Sequence, residues 1–439
     1  MSYATVRRRG SNGDMNKLCL EDRAAHSWYR FVLSFPPHLV QHYLEHLEVE
    51  PGQVVLDPFC GTGTTLVECK KMGVASIGVE ANPMAFFASQ VKTDWAVDPH
   101  SLHVDASRAA SRASRALAAL HLRDEPSEFN ERVPVDALRR LPGEREKLLL
   151  KGSISPLPLH KTLLLLDKIG AGDQPLYAHH ERLAVAKILT TTVGNLHFGP
   201  EVGVGPPKPD AAVLASWMEE IDTMANDLAS LPGPSSPAAL ALFGDARAVD
   251  QLVEPNCIDA VITSPPYPNE KDYSRVTRLE SVILGFIRDK DELRSLKRQF
   301  VRSNTRSVYQ GDDDSAWVQE FPAIRALAEE IEARRIALGK TSGFERLYAT
   351  VTKLYFGGMA RHLASLRPCL RRGARLAYVL GDQASYLRVM IRTGTLFAEI
   401  AESLGYEVVG IDLFRTRLAT ATREQLREEV VLLRWPGAA

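Results

Sequence analysis

The stretch from Gln53 to Gly73 constrains this chain most. An apolar run, Gln53-Val-Val-Leu-Asp57, ends on an acid; Pro58-Phe-Cys-Gly-Thr-Gly-Thr-Thr65 follows, and then a helical pattern closed by Gly73. Strand, glycine turn and helix in that order open a parallel sheet with a crossover connection. A second run, Ala75-Ser-Ile-Gly-Val-Glu80, also ends on an acid. Asn82-Pro83 then starts another helix, with proline in the first turn, where its missing N–H is harmless.

The strand rhythm returns at Leu240–Asp245 and at Cys257–Ile262, which runs into Thr263-Ser-Pro-Pro-Tyr267. It continues with a strand over Ala374–Leu380, a helix over Thr393–Leu404, and strands over Tyr406–Leu413 and Glu429–Trp435. Strands alternating with helices predict an α/β fold, a Rossmann-like doubly wound sheet. Two long interruptions have no place in its loops and read as mostly helical insertions. The expected organisation is a core in three parts, 1–97, 238–267 and 345–439, split by insertions at 98–237 and 268–344. The Gly/Pro-rich stretch Phe198-GPEVGVGPPK208 reads either as a groove-reaching loop or as a linker.

Lys and Arg number 53 against 54 Asp and Glu, so a strongly basic wrapper of nucleic acid is excluded, while a locally basic face is not. The five cysteines are odd in number and form no CxxC pair, so neither a disulfide framework nor a zinc knuckle is indicated, and no metal is expected. No apolar run reaches the roughly 18 residues that span a bilayer. No membrane contact is expected, and a reducing cytoplasm is the expected setting.

A turn reading Asp57, Pro58, Phe59, Cys60, Gly61, Thr62, Gly63, Thr64, Thr65 brings backbone close to a ligand. A dinucleotide fingerprint requires a third glycine where this chain has Leu66, and an acid at the strand end repels a phosphate. S-adenosylmethionine carries a sulfonium and an ammonium and no phosphate, so it fits this turn. Asp57 is expected to face its cationic groups. Glu80, 23 residues on, is placed to accept from ribose hydroxyls, with Asn82 beside it; Asp245 and Ala246 end a third strand, where the acid could accept from an adenine amino group.

Ser264-Pro265-Pro266-Tyr267 follows an apolar strand and falls at the carboxyl edge, where open α/β sheets hold ligands. Two prolines stiffen the backbone and remove competing donors. The Ser264 hydroxyl and the Pro265 carbonyl could hold the hydrogens of an exocyclic amine, with Tyr267 stacked on the base.

DPFCGTGTT together with TSPPY resembles the amino-methyltransferases of bacterial DNA modification and restriction systems. The resemblance covers roughly residues 25–97, 238–280 and 345–435. It implies an S-adenosylmethionine-dependent enzyme acting on double-stranded DNA, with a cognate restriction endonuclease as a candidate partner and a monomer or homodimer as the assembly. The serine form of the tetrapeptide usually goes with cytosine, so cytosine-N4 methylation is favoured over adenine-N6. Many relatives with this cofactor motif carry the two motifs in the reverse order. The aromatic segments around Trp28 and Tyr29 and around Phe35 match where the family closes the methionine side of its pocket. Cys60 is read as a small buried residue, and carbon-5 chemistry is disfavoured because the slot for a nucleophilic cysteine holds Ser264.

For phosphate contacts, Arg108, Arg112 and Arg115 share one helix face at i, i+4, i+7. Arg294, Lys297, Arg298, Arg302 and Arg306 form a second basic cluster after the catalytic motif. An RNA base-amine methyltransferase, or a non-catalytic nucleic-acid-binding protein on the same core, would share these features.

Overall fold

In a computed structural model, the described residues are 18–30, 34–128, 130, 133–170, 176–199, 201–269, 271–418 and 425–437. Of the segments singled out above, Phe31 and Pro200 lie outside them. The strands are β1 Val54–Asp57, β2 Ala75–Glu80, β3 Leu196–Phe198, β4 Val202–Val204, β5 Ala239–Phe243, β6 Ile258–Thr263, β7 Leu370–Gly381, β8 Glu407–Leu418 and β9 Gln425–Arg434. Seven of them form one sheet in the order β5-β2-β1-β6-β7-β9-β8. The pairings from β5 through β7 are parallel, and β9 inserts antiparallel to both β7 and β8. The α/β class read from the chain is the class observed. The antiparallel wedge of β9 is not foreseeable from the chain, because strand direction leaves no trace in an apolar run.

The inner strands β1, β2 and β6 are mostly apolar because both of their faces are covered. Alternation sends Val55, Ala260, Ile262, Ala377 and Val379 to one face, under the helix Pro37–His46. Leu56, Val261, Leu376, Tyr378 and Leu380 go to the other face, under the helices Tyr348–Leu366 and Thr393–Ser403.

A third core lies away from the sheet. Leu102, Ala106, Ala109 and Ala113 of the helix Pro99–Ala118 pack with Leu183 and Leu189, and with Trp217 and Ile221 of the helix Val213–Ser230. Leu279, Val282, Ile283 and Leu296, from beyond Tyr267, join this same core. The two long interruptions thus share a helical lobe. Its later part, including Ile324 and Ile331, packs on the sheet's own helices instead. The Gly/Pro-rich stretch is more than a linker at its start, since β3 and β4 pair there as an antiparallel hairpin and Glu201 between them borders a cleft. No helix among the described residues is long and apolar enough to cross a membrane.

Candidate active site

The strand order reverses between β1 and β6, and a cleft of about 640 Å³ opens at their carboxyl ends. That position is where doubly wound sheets hold ligands, and the volume suits a nucleoside-sized molecule plus a base. The glycine turn, the end of β2 and the turn after β5 wall one half; the residues after β6, β7 and the end of β8 wall the other.

The turn after β1 is shaped by Gly61 at φ +53° and Gly63 at φ +81°, both left-handed. A Cβ on Gly63 would stand 2.9 Å from the Ser89 Cβ, so helix Pro83–Thr93 packs directly on bare backbone. Pro58, Phe59, Cys60, Thr62 and Thr64 face the cleft. The Thr62 hydroxyl is buried with no hydrogen-bond partner. Burial pushes the Cys60 thiol well above its ordinary pKa, which suits an inert wall residue and not a nucleophile.

Asp57 does not reach the cleft, contrary to the expectation that it meets a cationic ligand. It is fully buried, and its carboxylate accepts from the Thr263 hydroxyl at 2.5 Å, the Thr65 hydroxyl at 2.6 Å and the Phe59 N–H at 3.1 Å. Because Thr263 immediately precedes Ser264, this carboxylate ties the glycine turn to the strand that carries the tetrapeptide. Burial raises its pKa to about 6 against those three donors.

Glu80 does face the cleft. Its oxygens accept from the Gly61 N–H at 2.8 Å and the Asn82 N–H at 2.6 Å, and burial lifts its pKa to about 7. Asn82 borders the cleft while capping its helix, its side-chain oxygen accepting from Met84 N–H at 3.1 Å. The Asp245 carboxylate turns away onto Arg247, at 2.6 Å, so Gly244 and Ala246 form the wall expected of it. A guanidinium two residues on outcompetes a ligand amine for that acid.

Trp28 and Tyr29 are not in the cleft wall. Trp28 is buried in the helical lobe, its indole N–H donating to Asp227 at 2.8 Å, and the Tyr29 hydroxyl donates to buried Glu280. Both are anchors for the lobe, as large aromatics with a polar tip usually are when buried. The companion segment does reach the cleft, through Ser34 and Phe35.

Ser264, Pro265, Pro266 and Tyr267 all border the cleft. The Tyr267 ring lies against Gly381 so closely that a Cβ there would stand 2.8 Å from its Cε2. Its hydroxyl donates to Glu428 at 3.0 Å, and Glu428 is held in turn by Arg415. Burial and the Glu428 anion keep the phenol neutral, far above its ordinary pKa. The ring is therefore fixed at both ends.

The basic residues divide. Arg108, Arg112 and Arg115 do border one shallow surface hollow together, although Arg112 also donates to the Lys168 carbonyl at 3.0 Å. Arg294, Arg298 and Arg306 are exposed. Lys297 and Arg302 are not free for phosphate: Lys297 is buried against Asp272 at 2.7 Å, and Arg302 against Asp312 at 2.7 Å. Their partners lie 25 and 10 residues away in the chain, beyond what helical spacing reveals. Sequence reasoning missed Lys271, Gln383, Arg415, Arg417 and Glu428, which border the half of the cleft beside β6, β7 and β8. Only the nearness of Lys271 to the tetrapeptide could have signalled one of them.

Comparison with known proteins agrees with this geometry. Residues 10–90 match a family model described as DNA methylase. The chain is 24% identical to the type II methyltransferase M.BsoBI of Geobacillus stearothermophilus over 94% of this chain and 85% of that protein. It is 23% identical to the type II methyltransferase M.AvaI of a Nostoc species over 95% and 87% of the two chains. A shorter match, 40% over 68 residues, links it to the type II methyltransferase M.MjaII of Methanocaldococcus jannaschii, covering 15% of this chain and 12% of that one. The long alignments run through both insertions as well as the core. A glycine turn and an SPPY tetrapeptide thus face one cleft at the switch point of the sheet, in a chain that resembles DNA methylases over residues 10–90 and type II methyltransferases over most of its length.

Proposed function

We propose that this chain transfers a methyl group from S-adenosylmethionine to the exocyclic amine of cytosine in double-stranded DNA, giving N4-methylcytosine. The observation that carries the reading is the shared cleft: the glycine turn after β1 and Ser264–Tyr267 after β6 face the same space. Mass-spectrometric nucleoside analysis of DNA from cells expressing the chain tests it. N4-methylcytosine is the expected product. Methyladenine would overturn the serine-based choice of base and leave direct transfer intact, and 5-methylcytosine would overturn both.

The residues present fit the cofactor. Among the described residues no Lys or Arg borders the half walled by β1, β2 and β5, which suits a ligand without phosphate. Open space lies where a Cβ on Gly61 would stand, and the unpartnered Thr62 hydroxyl is available beside it. Glu80 would hold the ribose hydroxyls, and Gly244 with Ala246 would flank the adenine. S-adenosylmethionine supplies an already activated methyl group, so positioning is the chain's main task.

Glu80 gives a pH signature. Its pKa of about 7 in the free protein means that near neutrality a share of it is protonated. Hydroxyls donating to the carboxylate favour the charged form, so binding lowers that pKa and releases a proton. Cofactor affinity should rise from pH 6 to 8, and calorimetry in buffers of different ionisation enthalpy should detect proton release. Glu80→Gln should weaken binding about tenfold, the loss of a charge-assisted hydrogen bond, and abolish the pH dependence. Unchanged affinity in the folded variant would remove Glu80 from the cofactor site.

On the substrate side, Ser264 and the Pro265 carbonyl would accept the two amine hydrogens, leaving the nitrogen directed across the cleft. The base must leave the duplex to reach them, at a cost of a few kcal/mol that stacking on Tyr267 offsets. No strong base is needed, because the amine becomes acidic only on methylation; water or Ser264 can take the proton. The neutral phenol of Tyr267 is a donor and not that base.

For the duplex, exposed Arg294, Arg298 and Arg306 are the phosphate contacts we assign in the second insertion, and Arg108, Arg112 and Arg115 in the first. Arg298→Gln should lower the slope of log K against log salt by about 0.9. Arg302→Gln should instead lower the denaturation midpoint, because it leaves Asp312 without its cation and removes the Arg302 donor to the Phe300 carbonyl. Equal slopes for wild type and Arg298→Gln would assign that arginine to a solvated face. Since the two long matches are type II methyltransferases, a restriction endonuclease of the same specificity is the partner we infer in the host.

A further inference from the structure

We propose that Lys271 and Arg417 form a seat for one backbone phosphate of the extruded nucleotide, on the substrate half of the cleft. This deepens the reading above and rests on DNA being the substrate. Both residues border the cleft with the tetrapeptide. Lys271 follows Tyr267 by four residues, and Arg417 lies near the end of β8, beyond β7 and β9 from the catalytic strand.

What distinguishes this pair is charge balance. The third cation bordering the cleft, Arg415, is answered by Glu428, and nearby Lys297 is answered by Asp272 and Arg392 and Arg427 by Asp382. Lys271 and Arg417 have no ion pair among the described residues; Arg417 has one weak contact, to the Gln383 amide oxygen at 3.5 Å. The two cations repel one another, and Lys271 is also partly buried. Glu201, at the tip of the β3–β4 hairpin, is the carboxylate that draws on Lys271, but it forms no ion pair with it. Two cations held within electrostatic reach in a half-enclosed cleft raise each other's free energy until an anion sits between them.

The anion is identified by position. The carboxylate of the proposed cofactor belongs to the half walled by β1, β2 and β5, on the far side of β6 from Arg417. On the β7–β8 side the ligand is the flipped nucleotide, whose anionic group is its phosphodiester. A guanidinium fork takes two phosphate oxygens, and an ammonium adds a point charge.

The test uses the full chain and a duplex carrying the site mapped by sequencing DNA modified in expressing cells. Lys271→Gln with Arg417→Gln should weaken duplex binding about 10 to 100-fold and lower the salt slope by about 0.9, the value for the one phosphate the pair neutralises. S-adenosylmethionine affinity by calorimetry should be unchanged, and Lys271→Arg should restore most of the loss. A neutral methylphosphonate placed 5′ or 3′ of the target should, at one of these positions, weaken wild-type binding by a similar factor and leave the double variant unaffected. If wild type binds and methylates the duplex while the folded double variant binds it equally well, the phosphate seat is wrong and the DNA reading stands. Loss of cofactor affinity with duplex affinity retained would move the pair to the cofactor carboxylate and overturn the proposal. If wild type neither binds nor methylates duplex DNA, the DNA reading fails and the seat falls with it.

Discussion

Replacing Tyr267 by alanine should lower single-turnover methylation about 100-fold while leaving S-adenosylmethionine affinity within about twofold. Base–aromatic stacking contributes about 1–3 kcal/mol, which is roughly 5 to 150-fold, and all of it acts on the extruded base. The upper part of that range applies because the ring is preorganised. Gly381 lets it approach the backbone of β7 closely, and its hydroxyl is pinned by Glu428, itself held by Arg415. No ordering entropy is then lost when the base arrives. Tyr267→Phe separates the two roles, since it keeps the stacking face and loses one hydrogen bond, so about 3 to 10-fold is expected. A 2-aminopurine at the target position should brighten on binding to wild type and less so with the alanine variant. Equal turnover for Tyr267→Ala and wild type would remove the ring from the base pocket.

The sheet was legible because its signals are local. An apolar run of four to six residues, a glycine or proline turn and a 3.6-residue period each lie within a dozen positions, and β1, β2 and β6 fall within a residue or two of where these signals put them. The tetrapeptide and Glu80 were legible for the same reason, since a residue that ends a parallel strand faces the ligand edge whatever lies elsewhere. What failed were the inferences about the partners that Asp57, Asp245, Trp28, Lys297 and Arg302 choose. Asp57 ends its strand as expected, yet its carboxylate is taken by Thr263, 206 residues away. Asp245 is claimed by Arg247, and Trp28 by Asp227, 199 residues on. Lys297 and Arg302 lie in a basic run that reads as a phosphate face, but only three-dimensional packing shows that two of its members neutralise Asp272 and Asp312. Charge patterning states how many cations a segment has and not which are already satisfied.

Asp57→Ala should destabilise the chain and uncouple its two motifs, the largest structural effect expected of any substitution beneath the cleft. The Thr263 hydroxyl and the Phe59 N–H would lose their acceptor, while the Thr65 hydroxyl keeps its second contact, to the Ile262 carbonyl at 3.2 Å. Two orphaned buried donors at about 1–3 kcal/mol each imply a loss of roughly 2–6 kcal/mol, a large part of a typical folding free energy. The same carboxylate gives a pH test with a definite sign. Its folded pKa, about 6, lies above the ordinary 3.8, so the folded state binds the proton more tightly than the unfolded state does. The contribution of Asp57 to stability is therefore greatest below pH 4, falls as pH rises towards 6, and is constant above that. Asp57→Asn cannot titrate. The stability difference, wild type minus Asp57→Asn, should shrink between pH 4 and 6 by on the order of 2–3 kcal/mol and stay flat from 6.5 to 8. Because the amide introduced by Asp57→Asn would still offer one acceptor oxygen but place an N–H donor beside a hydroxyl, methylation should fall more than cofactor affinity, through misplacement of Thr263 and hence of Ser264. A difference that grows with pH over the same interval would show that the buried carboxylate is stabilised as an anion, and would assign its role to charge instead of to the hydrogen bonds that join the two motifs.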